Sequence, residues 1–203
     1  LRHHGSSEAL FTALASGQED FVVAGADEML QARSQGMDLV AIAQYYRQYP
    51  VVGIVKDGSA IKTAADLKGR TVGVPGKYGE SWFARLVLLK SAGLTEADVK
   101  VSEIGYTQQA ALSTDKVDAI MGFSNNDVVT FTAAGIAVRT IPLTTGTLPL
   151  VSASLITTRT FLDASPAVAK KVADACTAGF VAVANDPAAA VTLATDYITT
   201  LRT

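Results

Sequence analysis

The amino-acid sequence predicts an α/β protein of two lobes joined by a two-stranded hinge, and three observations carry that expectation. Short β-branched apolar runs alternate with longer helical patterns through most of the 203 residues. The runs are continuously apolar rather than alternating, which marks strands covered on both faces, as in parallel sheets. Extended runs at 49–56 and 150–158 bracket an inner block that ends near residue 145. A chain that crosses out and back in this way builds two bodies with a cleft between them.

Strands are read at 20–26, 38–45, 49–56, 70–76, 99–105, 117–123, 136–143 and 150–158, nearly all short and bounded by Gly, Asp or Pro. Helices fall between them at about 7–16, 26–35, 80–92, 107–114 and 125–134, giving βαβ units. Ser6 or Ser7 opens the first helix. In the third, Trp82, Leu86 and Leu89 share one face with Phe83 and Val87 beside them. Glu80 and Ser81 suit its first turn, and Gly93 suits its stop. Two helices are expected after residue 158, where Ser165-Pro166 and Asp186-Pro187 each set a capping residue before a first-turn proline. The expected lobes are 1–50 with 150–203, and 51–149. The first is expected to be cut short at both ends.

Composition excludes several classes. Hydrophobic residues make up 49% and charged residues 18%, which is globular rather than disordered. A net charge of −2 gives no reason to expect nucleic acid, and no basic run would hold an anionic membrane. No apolar stretch approaches the roughly 18 to 20 residues of a bilayer span. Cys176, the single cysteine, excludes an internal disulfide and reads as a buried, inert thiol. The opening LRHHGSSEAL shows no signal peptide; His3 and His4 are tag remnants or a native strand end rather than a metal pair.

The stretch VGVPGKYGES, 72–81, raises the question of a nucleotide loop. A Walker loop needs Ser or Thr after Gly-Lys, to hold Mg²⁺, and here Tyr78 follows Gly76-Lys77. What survives is a helix N-terminus near 79–81 with free amides, where Gly76 and Gly79 allow close approach and Tyr78 can lie against a ring. The alternative is a plain tight turn. GFSNNDVV, 122–129, sits at the equivalent place, and Asn125, Asn126 and Asp127 offer donors and acceptors, or helix caps. Asp27 opens a third such junction, as cap or ligand acceptor. AQYYRQYP, 43–50, supplies Gln44, Tyr45, Tyr46 and Tyr49 as a stacking wall, with one of the tyrosines kept for packing.

No catalytic constellation is legible. No G-x-S-x-G elbow is present, and Asp115 and Asp118 read as a solvated turn. No cofactor and no metal site are expected.

Taken together, AADLKGRTVGVPGKYGESWFARLVLLKSAGL and VDAIMGFSNND resemble the substrate-binding proteins of ABC importers in the thiamine-pyrimidine-precursor, alkanesulfonate, taurine and nitrate group. SSEALFTALASGQEDFVVAGAD is similar to that group's earlier helix–strand unit. The resemblance implies a type II periplasmic-binding fold, a small-molecule ligand between the lobes, and a membrane permease as partner. It further implies a monomer located outside the cytoplasm. GKYGES and GFSNND look closest to members that bind aromatic heterocycles. The residues agree, because a sulfonate or nitrate would want Arg or Lys in the cleft. Asp27, Glu80 and Asp127 stand there instead, with Lys77 the only expected cation. The expected ligand contacts are Asp27, Gln44, Tyr46, Gly76, Tyr78, Gly79, Glu80, Ser81, Tyr106, Asn125, Asn126 and Asp127. A pyrimidine-synthesis enzyme on the same fold and the sensing part of a regulator are the alternatives from other classes; the enzyme relatives' cysteine-rich signature has no counterpart here.

Overall fold

The computed structural model describes residues 2–4, 6–46, 48–143 and 150–198. The first half comprises α1 (Ser7–Ala15), β1 (Val22–Gly25), α2 (Ala26–Ser34) and β2 (Leu39–Gln44). The chain then crosses into a second half: β3 (Val51–Lys56), β4 (Thr71–Val74), α3 (Gly79–Ser91), β5 (Lys100–Glu103) and α4 (Gln108–Ser113), then β6 (Ala119–Phe123), α5 (Asp127–Ala133) and β7 (Val138–Ile141). It returns through β8 (Ala153–Thr158) and ends on α6 (Arg159–Ala164), α7 (Pro166–Asn185) and α8 (Pro187–Ala194).

These strands form two sheets, β1-β8-β2 and β5-β4-β6-β3-β7. The first is antiparallel throughout and the second is mixed, which corrects the expectation of parallel sheets. β4 pairs parallel with β5 and β6, as the βαβ pattern requires. β3 runs antiparallel to β6 and β7, and β8 antiparallel to β1 and β2. β3 and β8 are the strands that enter each sheet from the other half, so they arrive from the opposite end.

The expectation of strands covered on both faces holds in the second half. Val51 and Val55 of β3 join Leu88 and Leu89 of α3 in one core, while Ile54 joins Leu112 of α4 and Phe131 of α5 in another. Side chains alternate across a strand, so one apolar run feeds both layers. In the first half, Phe11, Leu14, Val22, Met29, Leu39 and Ile156 form a third core.

The buried stripe of α3 is Ser81, Ala84, Arg85, Leu88 and Leu89, not the Trp82–Leu86–Leu89 face read from the sequence. Both flanks are apolar, and the small Ala84 lets the helix lie close on β3. Arg85 is buried as well. It donates from Nη2 to Glu96 Oε2 at 2.7 Å, and its guanidinium lies 4.0 Å from the Trp82 ring centroid.

Among the described residues three helices, rather than two, follow β8. The extra one, α6, is capped by Thr158, whose Oγ1 accepts from Phe161 N at 3.1 Å. Ser165 occupies the N-cap position of α7 without a side-chain capping bond, whereas Asp186 accepts from Ala189 N at 3.0 Å to cap α8. Cys176 is half-buried rather than buried, because α7 buries only Ala169 fully among the described residues. Residues 2–4 form no strand. Asp115 pairs with Lys56 at 2.7 Å, and Asp118 accepts from Thr71 N at 2.7 Å, so Asp118 fixes the start of β4 as well as meeting solvent.

Candidate functional site

Four helices begin shortly after a strand ends at the junction of the two halves: α2 after β1, α3 after β4, α4 after β5 and α5 after β6. The first N–H groups of a helix lack intrahelical partners, so these junctions turn polar backbone toward the space between the halves. A cavity of about 830 Å³ opens there.

Eight of the sequence-predicted residues line that cavity: Tyr46, Tyr78, Gly79, Glu80, Ser81, Tyr106, Asn126 and Asp127. Gly79 starts α3 at φ +74°, a left-handed conformation that any side chain would strain. Asp127 accepts from Phe123 N through Oδ2 at 2.6 Å, closing the β6–α5 turn, and burial raises its carboxyl above the usual range. Burial also raises Tyr106, after the larger effect of its hydrogen bond to Tyr78.

The other four predicted residues stand behind or beside the lining. A side chain at Gly76 would strike the Tyr78 ring at 2.3 Å, so Gly76 lets that ring fold over its own loop. Gln44 donates from Nε2 to the Tyr46 carbonyl at 2.9 Å, and Asn125 donates from Nδ2 to Tyr46 Oη at 3.2 Å. Gln44 therefore holds the Tyr46 backbone, and Asn125 holds its ring. Asp27 is buried behind the cavity wall. Lys77 points away, lining a smaller neighbouring cavity and lying 4.0 Å from Glu103, so the expected cation is absent from the main lining.

Behind the wall lies a cluster that the sequence reading assembled only in part. Tyr49 Oη donates to Asp27 Oδ2 at 2.5 Å and to the Glu80 carbonyl at 3.1 Å. Ser152 Oγ donates to Glu80 Oε1 at 2.7 Å, and Ser7 donates to Glu28. A Cβ placed on Gly25 would lie 2.4 Å from Asp27 Oδ1, 3.1 Å from Glu28 Oε2 and 3.2 Å from Glu80 Cγ, so the three acids converge. Burial pushes Glu80 up to about 7 against the opposing donation from Ser152, and burial likewise raises Asp27 and Glu28. Burial, with the Asp27 carboxylate next, pushes the Tyr49 hydroxyl up.

Glu28, Ser7, Ser152 and His4 were not among the predicted contacts. Glu28 and Ser7 were legible as neighbours of Asp27 and of the α1 start, but Ser152 sits in a run read wholly as strand. His4 lines the cavity and lies 3.3 Å from Glu19, a place that its position in the sequence gave no hint of. Tyr49 proves to be the tyrosine that orients acids rather than one that faces the cavity. Tyr49→Phe is expected to cost about 1–3 kcal/mol, because a buried carboxylate loses its donor. Urea denaturation at pH 7 measures it.

Among the described residues no group of His, Cys, Asp and Glu could hold a metal, and no helix is long and apolar enough to cross a membrane.

The model of the family described as NMT1/THI5 like matches residues 3–190. The chain belongs to that family. This NMT1/THI5-like chain is 30% identical over 178 residues to the riboflavin-binding protein RibY of Chloroflexus aurantiacus, covering 88% of the chain and 50% of RibY. It superposes on the periplasmic aliphatic sulphonate binding protein SsuA of Escherichia coli with a TM-score of 0.80, at 22% identity, covering 94% of this chain and 65% of that one. The alkanesulfonate-binding protein SsuA of Xanthomonas axonopodis pv. citri, bound to MOPS, gives 0.70 at 22% identity over 95% and 66%. The fold is therefore the type II periplasmic-binding fold that the sequence motifs implied. The chain spans half the length of RibY.

Proposed function

We propose that this NMT1/THI5-like chain is the solute-binding part of an ABC importer and that it takes a small aromatic nitrogen heterocycle, a thiamine pyrimidine precursor or a flavin-like compound. The observation that carries the reading is the lining itself. Glu28, Glu80 and Asp127 stand among Tyr46, Tyr78 and Tyr106, with no lysine or arginine among the described lining residues. Carboxylates and amides accept from ring N–H groups, and tyrosines stack on the ring face. A sulfonate would leave such a wall without a cationic partner. The name of RibY supports the same class of ligand, and its identity to this chain exceeds that of the sulfonate-binding neighbours.

Residues 1–50 with 150–203 form one lobe in this reading and 51–149 the other. Ligand touches both, favours the closed arrangement by its better fit there, and is handed to a membrane permease without covalent change. The protein works as a monomer outside the cytoplasm. Gln44, Gly76 and Asn125 shape the site by placing Tyr46 and Tyr78, and Asp27 acts from behind it.

Thermal-shift screening against formylaminopyrimidine, hydroxymethylpyrimidine, riboflavin, taurine, an alkanesulfonate and nitrate tests this. A heterocycle at about 100 times its dissociation constant is expected to stabilise the fold by roughly 2.7 kcal/mol. A shift with the sulfonate or nitrate alone overturns the reading. Conversion of a heterocycle into a new product, followed by chromatography, would favour the enzyme alternative instead.

A further inference from the structure

The carboxylates beside the cavity lie on both sides of a seam. Asp27 and Glu28 belong to the first turn of α2 in the first half, and Glu80 to the first turn of α3 in the second. Acidic side chains at helix N-termini are common, but three of them meeting across two halves are mutually repulsive once ionised. The described groups facing Glu80 give it no cation. They are Asp27 and Glu28 from α2, Tyr49 from the segment before β3, and Ser152 before β8. Tyr78 and Tyr106 lie on the Glu28 side, Asp127 and His4 line the cavity beyond, and His4 is engaged by Glu19. Serine and tyrosine donors ease this crowding without neutralising it.

We propose that Glu80 and its partners Asp27 and Glu28 form a proton latch, which holds the α2–α3 seam shut with one bound proton and lets it part when that proton leaves. With the seam shut, Glu80 is buried against two other acids; with the halves apart it regains water. The shut form therefore binds the proton more tightly. Burial sets its carboxyl at about 7 in the shut form, against an ordinary value of 4.5. Below the ordinary value both forms hold the proton, and the shut form keeps its full advantage. As pH rises from there to about 7 the advantage is lost, the shut-to-open ratio falling about tenfold per pH unit, and above that it levels. Because a solute held by both halves needs the seam shut, uptake of solute is coupled to proton binding in the same window.

The protein carries its own reporter. Trp82, its single tryptophan, lies two residues along α3 from Glu80 and lines the small cavity on the same seam, together with Glu28 and Gln31. Small-angle X-ray scattering and Trp82 emission on the ligand-free protein, from pH 4.5 to 8, test the latch. The expected result is a growing radius of gyration and a changing Trp82 emission between pH 5 and 7, levelling above. Glu80→Gln, neutral at every pH, is expected to stay compact up to pH 8. Ser152→Ala removes a donor that favours the ionised form, so the fall in the shut-to-open ratio is expected to be larger than in wild type and to level only at higher pH; it serves also if Glu80→Gln fails to fold. A wild-type radius and emission constant from pH 5 to 8 overturn the latch, as does a transition that neither variant moves. No ligand is needed, so failure of the heterocycle reading and failure of the latch are separate results.

Discussion

Replacing Phe131 with alanine is expected to cost about 3–5 kcal/mol of stability, the largest single loss in the second half. Phe131 is fully buried on α5 and packs with Ile54, Ile104, Leu112, Val117 and Ile120 beneath the sheet. Its removal takes away a large apolar surface and leaves a cavity that two flanking helices cannot close, because α4 and α5 are each tied to β6 by short turns. Urea unfolding followed by circular dichroism gives the free energy and its slope. The same helix begins with Asn126 and Asp127, so a looser α5 also loosens one wall of the cavity. A loss below about 1 kcal/mol would mean that the site collapses around the missing ring, and that α5 is not held by this core.

Asp127→Asn is expected to lower affinity for the heterocycle roughly 10- to 100-fold while leaving stability nearly unchanged. The Asp127 side chain does two jobs. An asparagine oxygen can still accept from Phe123 N, which closes the β6–α5 turn. It cannot offer the second carboxylate oxygen or the charge to a ring N–H donor in the cavity. Asp127→Ala loses both jobs and is expected to destabilise by about 1–3 kcal/mol as well, because the Phe123 N–H is left without its acceptor. Calorimetry with the heterocycle selected by the panel, paired with urea unfolding, measures both numbers. Equal affinity in wild type and Asp127→Asn would remove Asp127 from ligand recognition and leave it as a turn residue.

Much of this architecture was legible in the chain. The apolar runs located all eight strands, and Gly, Asp and Pro set most of their ends, because strand and turn preferences are local. The glycines and small polar residues after β4 and β6 marked two of the four junctions that open on the cavity, since close backbone approach and free helix amides have a short sequence signature. Family membership was legible too, in the motif from residue 64 to 94 and in VDAIMGFSNND.

Only the tertiary structure decided strand direction and the membership of the site. Nothing in VVGIVK says that β3 runs against β6 and β7; that follows from entering the sheet after a crossing. The apolar residues on both flanks of α3 left its buried face open, and packing chose the flank with Ala84. Lys77 adjoins Tyr78 in sequence yet lies near Glu103 of β5, a neighbour it has only because β4 and β5 pair. Tyr49, Ser152 and Glu80, 31 and 72 residues apart by hydrogen bond, meet at one seam only once both crossings are made. The sequence determined the elements, because their preferences are local; the fold decided which acids meet, because that depends on contacts distant along the chain.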